Sequence, residues 1–317
     1  MVERHQVAGA ASGKSGGFLA LDWNRGTPVD RLARRSFALH AKLAEELGNP
    51  WLYKGLRTVM GHALKREPAT ITSQIGTPET TAVVEPRAFT TGLIEAARTL
   101  GAQLVTDAVA EISGTSVRLE SGETLQGDAV VIAMGPWSML ASQWVPLPAV
   151  YGVKGHSLIF KSGDKTPADA WFLEVQDGSE VLTPEIFPRA DGTVWACAIS
   201  STQGLPLDPA DVAPDNGAHE RLEAICRAVS PALADAPVVA RQACFRPLTR
   251  DGLPLMGEVA PGVFVATGHS VWGMLNAPAS GEAMAELILD GQASRVDLRP
   301  FSPSRLKPLG AGRATPG

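Results

Sequence analysis

No run of apolar residues in this chain approaches the ~18 that a membrane span needs. Cysteine is scarce: the three residues Cys197, Cys226 and Cys244 are odd in number, far apart and without metal-ligand spacing. That pattern excludes a disulfide framework and a cysteine-based zinc site, and it reads as buried free thiols in a reducing compartment. Positive charge is not in excess either. Against 33 Asp and Glu stand 28 Lys and Arg, a net charge of -5, which gives no electrostatic case for nucleic acid or an anionic membrane as partner. The opening stretch, MVERHQVAGAASGK, has no apolar core of a secretory signal. The expectation is a soluble cytoplasmic enzyme without a metal.

What is present is apolar weight: 317 residues, 44% of them hydrophobic and 19% charged, enough for one large α/β domain or two smaller ones. The most informative stretch comes late. Val263 to Ala266 has the β-branched and aromatic composition of a buried strand and ends in Thr267-Gly268-His269, with Gly273 four residues on. Pro278-Ala279-Ser280-Gly281 then signals a helix start, with Ser280 as N-cap and Glu282 in the first turn. Met284, Leu287 and Ile288 recur at helical spacing, and Gly291 stands where a helix-ending glycine belongs. A strand, a glycine-rich loop and a helix bring backbone close to a flat ligand. The helix N-terminus adds partial positive charge there.

Arg246-Pro247, Thr249, Asp251-Gly252, Pro254, Gly257, Gly268-His269, Gly273, Ala277-Pro278 and Gly281 resemble the C-terminal signature of one flavoprotein family. That family is the glycine/D-amino acid oxidase-like FAD-dependent oxidoreductases. The resemblance implies a loop over the isoalloxazine ring of FAD, formed by Gly268, His269, Gly273 and Met274. It also implies an α/β fold in which a Rossmann-like FAD-binding domain (residues 1–149 and 244–305) is interleaved with an antiparallel-sheet substrate domain (residues 150–243). Residues 306–317, rich in Pro and Gly, are expected to be a disordered tail.

Earlier segments extend the resemblance. Met1-Val2-Glu3-Arg4 reads as the end of a strand, and Glu3, followed by Arg4, stands where family members bind the adenosine ribose. No GxGxxG turn precedes it in this sequence, so the polypeptide is expected to hold FAD weakly or not at all. AGAASGKSGG, residues 8 to 17, can wrap a pyrophosphate with backbone N–H groups, and the resemblance lays Ser12, Ser15, Gly16 and Gly17 along the cofactor. Thr27-Pro28 opens a helix carrying Leu32, Phe37, Leu39, Leu43 and Leu47. Glu85-Pro86 opens a second, Arg87 to Leu100. Short strands follow, one of them starting at Val109, which the resemblance adds to the cofactor contacts. The run from Ala129 to Ala133 has the pattern of a strand buried on both faces. It leads into Gly135-Pro136-Trp137-Ser138, where the resemblance places Gly135 and Trp137 near FAD.

Oxidising a C–N bond by hydride transfer to flavin needs orientation more than acid–base machinery. Arginine holds a substrate carboxylate best, because its planar fork binds it through two hydrogen bonds. Arg246 stands where glycine-oxidase-like relatives place that anchor; the alternative is an ion pair with Asp251. His269 either hydrogen-bonds the flavin or holds the loop. Cys244 matches the position from which some sarcosine-oxidase relatives attach FAD covalently, and Lys154 either orders a water near the flavin or is a surface cation. Trp137 and Trp272 pack near the cofactor or simply in the core. The activity implied is oxidation of an amino acid or secondary amine, a small-molecule substrate. The alternative is a flavin-binding assembly or trafficking factor with little turnover.

Overall fold

With 24 prolines and 32 glycines the chain is cut into short strands. In the computed structural model the strands gather into five sheets among the described residues. The structure describes residues 1–65 and 67–309; residues 310–317 of the expected disordered tail lie outside them.

The largest sheet has eight strands. Val150–Lys161 and Val238–Thr249 pair antiparallel along most of their length. Thr193–Ser201, Glu185–Pro188 and Ala170–Asp177 follow in order, and Glu180–Leu182 pairs with the last of these. Beyond it come Thr58–Ala63, parallel to Ala170–Asp177, and then Thr70–Gly76. Those two strands lie before residue 150, in the stretch that the family resemblance implies for the cofactor part. In Thr58–Ala63, Val59, Gly61 and Ala63 are buried while Met60 and His62 are exposed. This small-apolar alternation suits a strand laid against a larger sheet.

One face of the sheet packs on the helix Ala218–Val229. Leu222, Ile225, Cys226 and Val229 repeat at helical spacing and meet Leu158, Phe160, Ile186, Val194 and Ala196 in one fully buried cluster. The opposite face is aromatic. Phe187 stacks on Trp195 with centroids 5.3 Å apart, and Phe18 lies 4.9 Å from Phe187 and 5.1 Å from Phe172.

The second part of the molecule is built on parallel pairs. Val2–Glu3 runs parallel to Val105–Thr106, and Val130–Ile132 parallel to Val263–Thr267, whose other edge takes Leu255–Ala260 antiparallel. Two helices cover this sheet, Asp30–Glu46 and Gly273–Asp290, with Leu32, Met256, Phe264, Ala279, Ala283 and Met284 packed between them. Just before the expected tail, Pro303–Arg305 forms a short turn of helix and Arg305 is held by Asp251 at 2.7 Å; within the tail, Leu309 N–H donates to the Leu147 carbonyl at 2.7 Å.

The last helix departs from the sequence expectation. It begins at Gly273, not Ser280, and carries Pro278 inside it. A proline there removes one donor and usually costs ~3 kcal/mol. Here Asp30–Glu46 supplies the missing partners. His40 Nε2 donates to the carbonyls of Met274 (2.9 Å) and Leu275 (3.2 Å), and the Ala279 N–H donates to Ser36 Oγ (3.1 Å). Ser36 and His40, four apart, share one face of their helix and are fully buried. Two polar residues inside an apolar stripe thus complete a second helix.

Because burial pulls the His40 pKa down to about 4, the ring stays neutral in the folded protein. Between that value and the ordinary histidine value the unfolded chain binds a proton the folded chain refuses. Stability therefore falls as pH drops through this window, by up to ~1.4 kcal/mol per pH unit. Urea unfolding at about pH 6.5 and about pH 4.5 should show the fall, and His40→Gln, which keeps a donor, should make it shallower, His269 contributing the rest. An equal fall in that variant would assign the loss to other groups.

Candidate active site

Two strand ends form the floor. Val130–Ile132 and Val263–Thr267 lead into glycines at positive φ, Gly135 at 54° and Gly268 at 80°. The Thr267 hydroxyl ties the two turns by donating to the Gly135 carbonyl at 2.9 Å. At Gly268 a Cβ would come within 2.7 Å of Thr249 Cγ2, so the protein itself requires glycine there. His269 is held by Ser280 Oγ, 2.9 Å from its Nε2, and burial lowers its pKa to about 4. The neutral ring fastens the loop to the last helix, and Ser280 serves in this contact rather than as N-cap. Gly273 is the first helical residue, and no side chain caps this N-terminus. A Cβ on Gly273 would meet only His269 Cβ, at 3.7 Å.

The segment from Ala8 to Gly17 is clamped between the helix Pro86–Thr99 and the aromatic face of the large sheet. The Ser12 carbonyl accepts from Thr90 Oγ1 (3.0 Å), the Lys14 carbonyl from Trp195 Nε1 (3.1 Å), and the Ser15 carbonyl from Arg189 (3.3 Å). Gly16 lies so close to Phe187 and Trp195 that a Cβ would meet them at 2.6 and 2.8 Å. Gly17, at φ 74°, faces the Val84 carbonyl. The hydroxyl of Ser15 is buried with no partner among the described residues. At the far end, the Glu3 carbonyl accepts from Asp107 N–H at 3.0 Å, which brings Glu3 beside the turn leading to Val109. Arg4 reaches Glu120 (3.1 Å) and Asp208 (3.3 Å), and His5 also meets Asp208 (2.6 Å).

The roof is the sheet. Arg246, on Val238–Thr249, donates to Ser200 Oγ and makes no ion pair among the described residues. Asp251, the expected structural partner, belongs to Arg305, which holds its carboxyl down at about 2. Lys154 is neither a surface cation nor a neighbour of Arg246. It is 5% exposed, lies on the opposite face over the Phe245 ring, and binds Asp215 at 2.6 Å. Trp137 goes the same way, edge-on to Phe245 and donating to the Pro206 carbonyl at 2.8 Å. Trp272 stays on the site side, edge-on to Trp23 at 6.2 Å, and Trp23 lies 4.9 Å from Phe172. All three cysteines are free, and burial raises the pKa of each thiol, Cys244 included. A raised pKa leaves Cys244 a poor nucleophile.

Sequence reasoning missed Ser200, Arg189 and Glu185. Arg189 is buried against Ser15 and Glu85, and Glu185 pairs across strands with Cys197. The signal for Glu185 was a lone acid opening the strand-like run Glu-Ile-Phe-Pro, on the same side as Phe187.

A flat, partly anionic cofactor fits this chamber on two observations among the described residues: the buried, unpartnered hydroxyl of half-buried Ser15, and a helix N-terminus without a side-chain cap and with open space at Gly273. A glycine-turn floor, a clamped small-residue segment and an antiparallel sheet as roof define a two-part cofactor-dependent oxidoreductase. The chain belongs to the family of FAD-dependent oxidoreductases that includes D-amino acid oxidase, whose family model matches residues 53–287. FAD is the cofactor of that family. A Schizosaccharomyces pombe protein is 25% identical over 347 residues, covering 96% of this chain and 89% of its own length. A glycine oxidase of Pseudomonas aeruginosa is 32% identical over 185 residues, 57% of this chain but only 46% of that enzyme. The crystal structure of glycine oxidase from Geobacillus kaustophilus superposes with a TM-score of 0.81 over 96% of this chain and 91% of its own, at 23% identity. Among the described residues no helix is long and apolar enough to cross a membrane.

Proposed function

We propose that the chain oxidises the C–N bond of an amino acid or secondary amine. The observation that carries this is Arg246. Its guanidinium stands on the aromatic face of the sheet, beside Gly155 and, among the described residues, without a carboxylate partner. A half-buried arginine hydrogen-bonded to one hydroxyl keeps most of its donors for a ligand. FAD, when bound, supplies the hydride acceptor.

The cradle would draw on Glu3, Arg4 and Val109 at the adenosine end, Ser12, Ser15, Gly16 and Gly17 along the middle, and Gly135, Gly268, His269, Gly273 and Met274 around the ring. Arg246 fixes the substrate carboxylate and so presents the α-carbon. Trp23, Phe172 and Trp272 form an apolar wall that excludes water. His269, neutral and bonded to Ser280, keeps the loop in place and moves no proton. Anaerobic mixing of the flavin-loaded protein with glycine, sarcosine and D- and L-amino acids should bleach the flavin absorbance with at least one of them. A loaded protein that none of them reduces would instead be a flavin-binding protein with little turnover.

A further inference from the structure

The side chains beside Arg246 follow from strand register. Phe172 pairs with Glu185, Glu185 with Cys197, Cys197 with Ser157, and Ser157 with Gln242. Directly opposed residues point to the same side of a sheet, so these five share one face. Phe187 and Trp195, paired two residues along, lie on it too, and Gly16 sits against both. A register shift next to His156 and Ser157 absorbs Ala198, which returns Ser200 to this face opposite Gly155 and next to Cys244. Arg246, paired with Val153, occupies the following row on the same side. Glu185 and Arg246 thus look onto one chamber, between the sheet and the cofactor-side segment.

Glu185 is poorly provided for as a structural acid. Its one hydrogen bond among the described residues comes from the Cys197 thiol at 3.6 Å, a weak donor. It forms no ion pair with Arg246, which turns to Ser200 instead. An acid and an arginine on one face, each turned to a different neutral partner and not joined to each other, give that face mixed polarity. An amino acid zwitterion has the complementary pattern, its carboxylate toward the arginine and its ammonium toward the acid.

We propose that Glu185 receives the ammonium group of an amino acid held by Arg246 and takes its proton. This rests on the amine-oxidising reading above. One N–H bond breaks, its electron pair stays on nitrogen, and the proton forms the O–H bond of the Glu185 carboxylic acid. The lone pair is then available as hydride leaves the α-carbon, which an ammonium group cannot offer. Burial raises the proton affinity of Glu185, with Cys197 and Arg246 opposing it, and so brings the carboxyl closer to that of an amine. The Cys197 thiol, pushed well up by burial, stays neutral beside it. Phe172, on the other neighbouring strand, carries no charge, and Lys14 below donates to the Ala243 carbonyl.

The test uses two ligands on the flavin-loaded protein. α-Aminoisobutyrate has no α-hydrogen and binds without reacting; isobutyrate is the same acid without the amine. By calorimetry, wild type should prefer the amino acid. Glu185→Gln should lose roughly 10- to 100-fold of affinity for it while holding isobutyrate as before. In turnover, the glutamine variant should gain rate with pH until the substrate ammonium itself deprotonates, and Glu185→Asp should restore part of the rate at neutral pH. Equal losses for both ligands, or a wild-type pH profile in the glutamine variant, overturn the proposal. A wild type that binds both ligands equally removes Glu185 alone. A wild type that binds neither removes the amine-oxidising reading with it.

Discussion

Arg246→Lys is expected to slow anaerobic reduction of the bound flavin by an amino acid by about 30- to several-thousand-fold. Truncating one partner of a desolvated charge-assisted pair costs roughly 2–5 kcal/mol. Lysine keeps the charge but loses the two-pronged geometry, and its shorter reach gives up the hydrogen bond to Ser200. Flavin content and melting temperature should stay near wild type, because no ion pair of the folded chain depends on this guanidinium among the described residues. Asp251 gives the contrast: its partner is Arg305, at 2.7 Å, so Arg305→Lys should lower stability and spare the rate. An Arg246 variant that melts early yet reduces its flavin at the normal rate would take the residue out of the site.

Gly273→Val is expected to remove most of the flavin while leaving the fold nearly intact. At φ -58° and ψ -44° the backbone is ordinary helix, open to any residue. A Cβ would touch only His269 Cβ, at 3.7 Å, so the protein alone has room for it. What opposes the valine is a ring lying in that space, where overfilling costs ~1–3 kcal/mol or more, up to ~100-fold or greater in affinity. Flavin bound per protein at one fixed concentration of free FAD, compared between wild type and variant and set beside the circular dichroism of the two apoproteins, separates the two effects. Gly268→Ala is the opposite control. Its φ of 80° and the 2.7 Å approach to Thr249 put the penalty in folding itself. Full flavin content in the Gly273 variant would mean that the ring lies elsewhere.

The strand Val263–Thr267, its glycine turn and the helix after it were legible because the signal is local, whereas the roles proposed for the loop and for Arg246 came from the family resemblance and not from any such pattern. The helix boundary was misread for the opposite reason. Pro278 signals a start only if no neighbour can replace its hydrogen bond, and His40 and Ser36 do so from the other end of the chain. Strand membership failed similarly at 58–76. The parallel pairing of Thr58 with Ala170 joins residues more than a hundred positions apart, and no local pattern announces it. Glu185 needed the full register, because an acid at the start of a short strand looks solvated until its neighbours across the sheet are known. The direction of Lys154 followed the same rule: one residue from Gly155, it points to the other face.

The bridging of Pro278 also sets an order of events during synthesis. Ser36 and His40 are translated more than two hundred residues before the backbone groups they serve, with separations of 243 and 234 along the chain. Until Gly273–Asp290 leaves the ribosome, the early helix carries two buried-type polar side chains with nothing to bind. If that helix docks early it leaves the Ser36 hydroxyl and His40 Nε2 without their protein partners, so its final packing depends on Gly273–Asp290. Contacts this distant in sequence slow folding and leave apolar surface uncovered meanwhile.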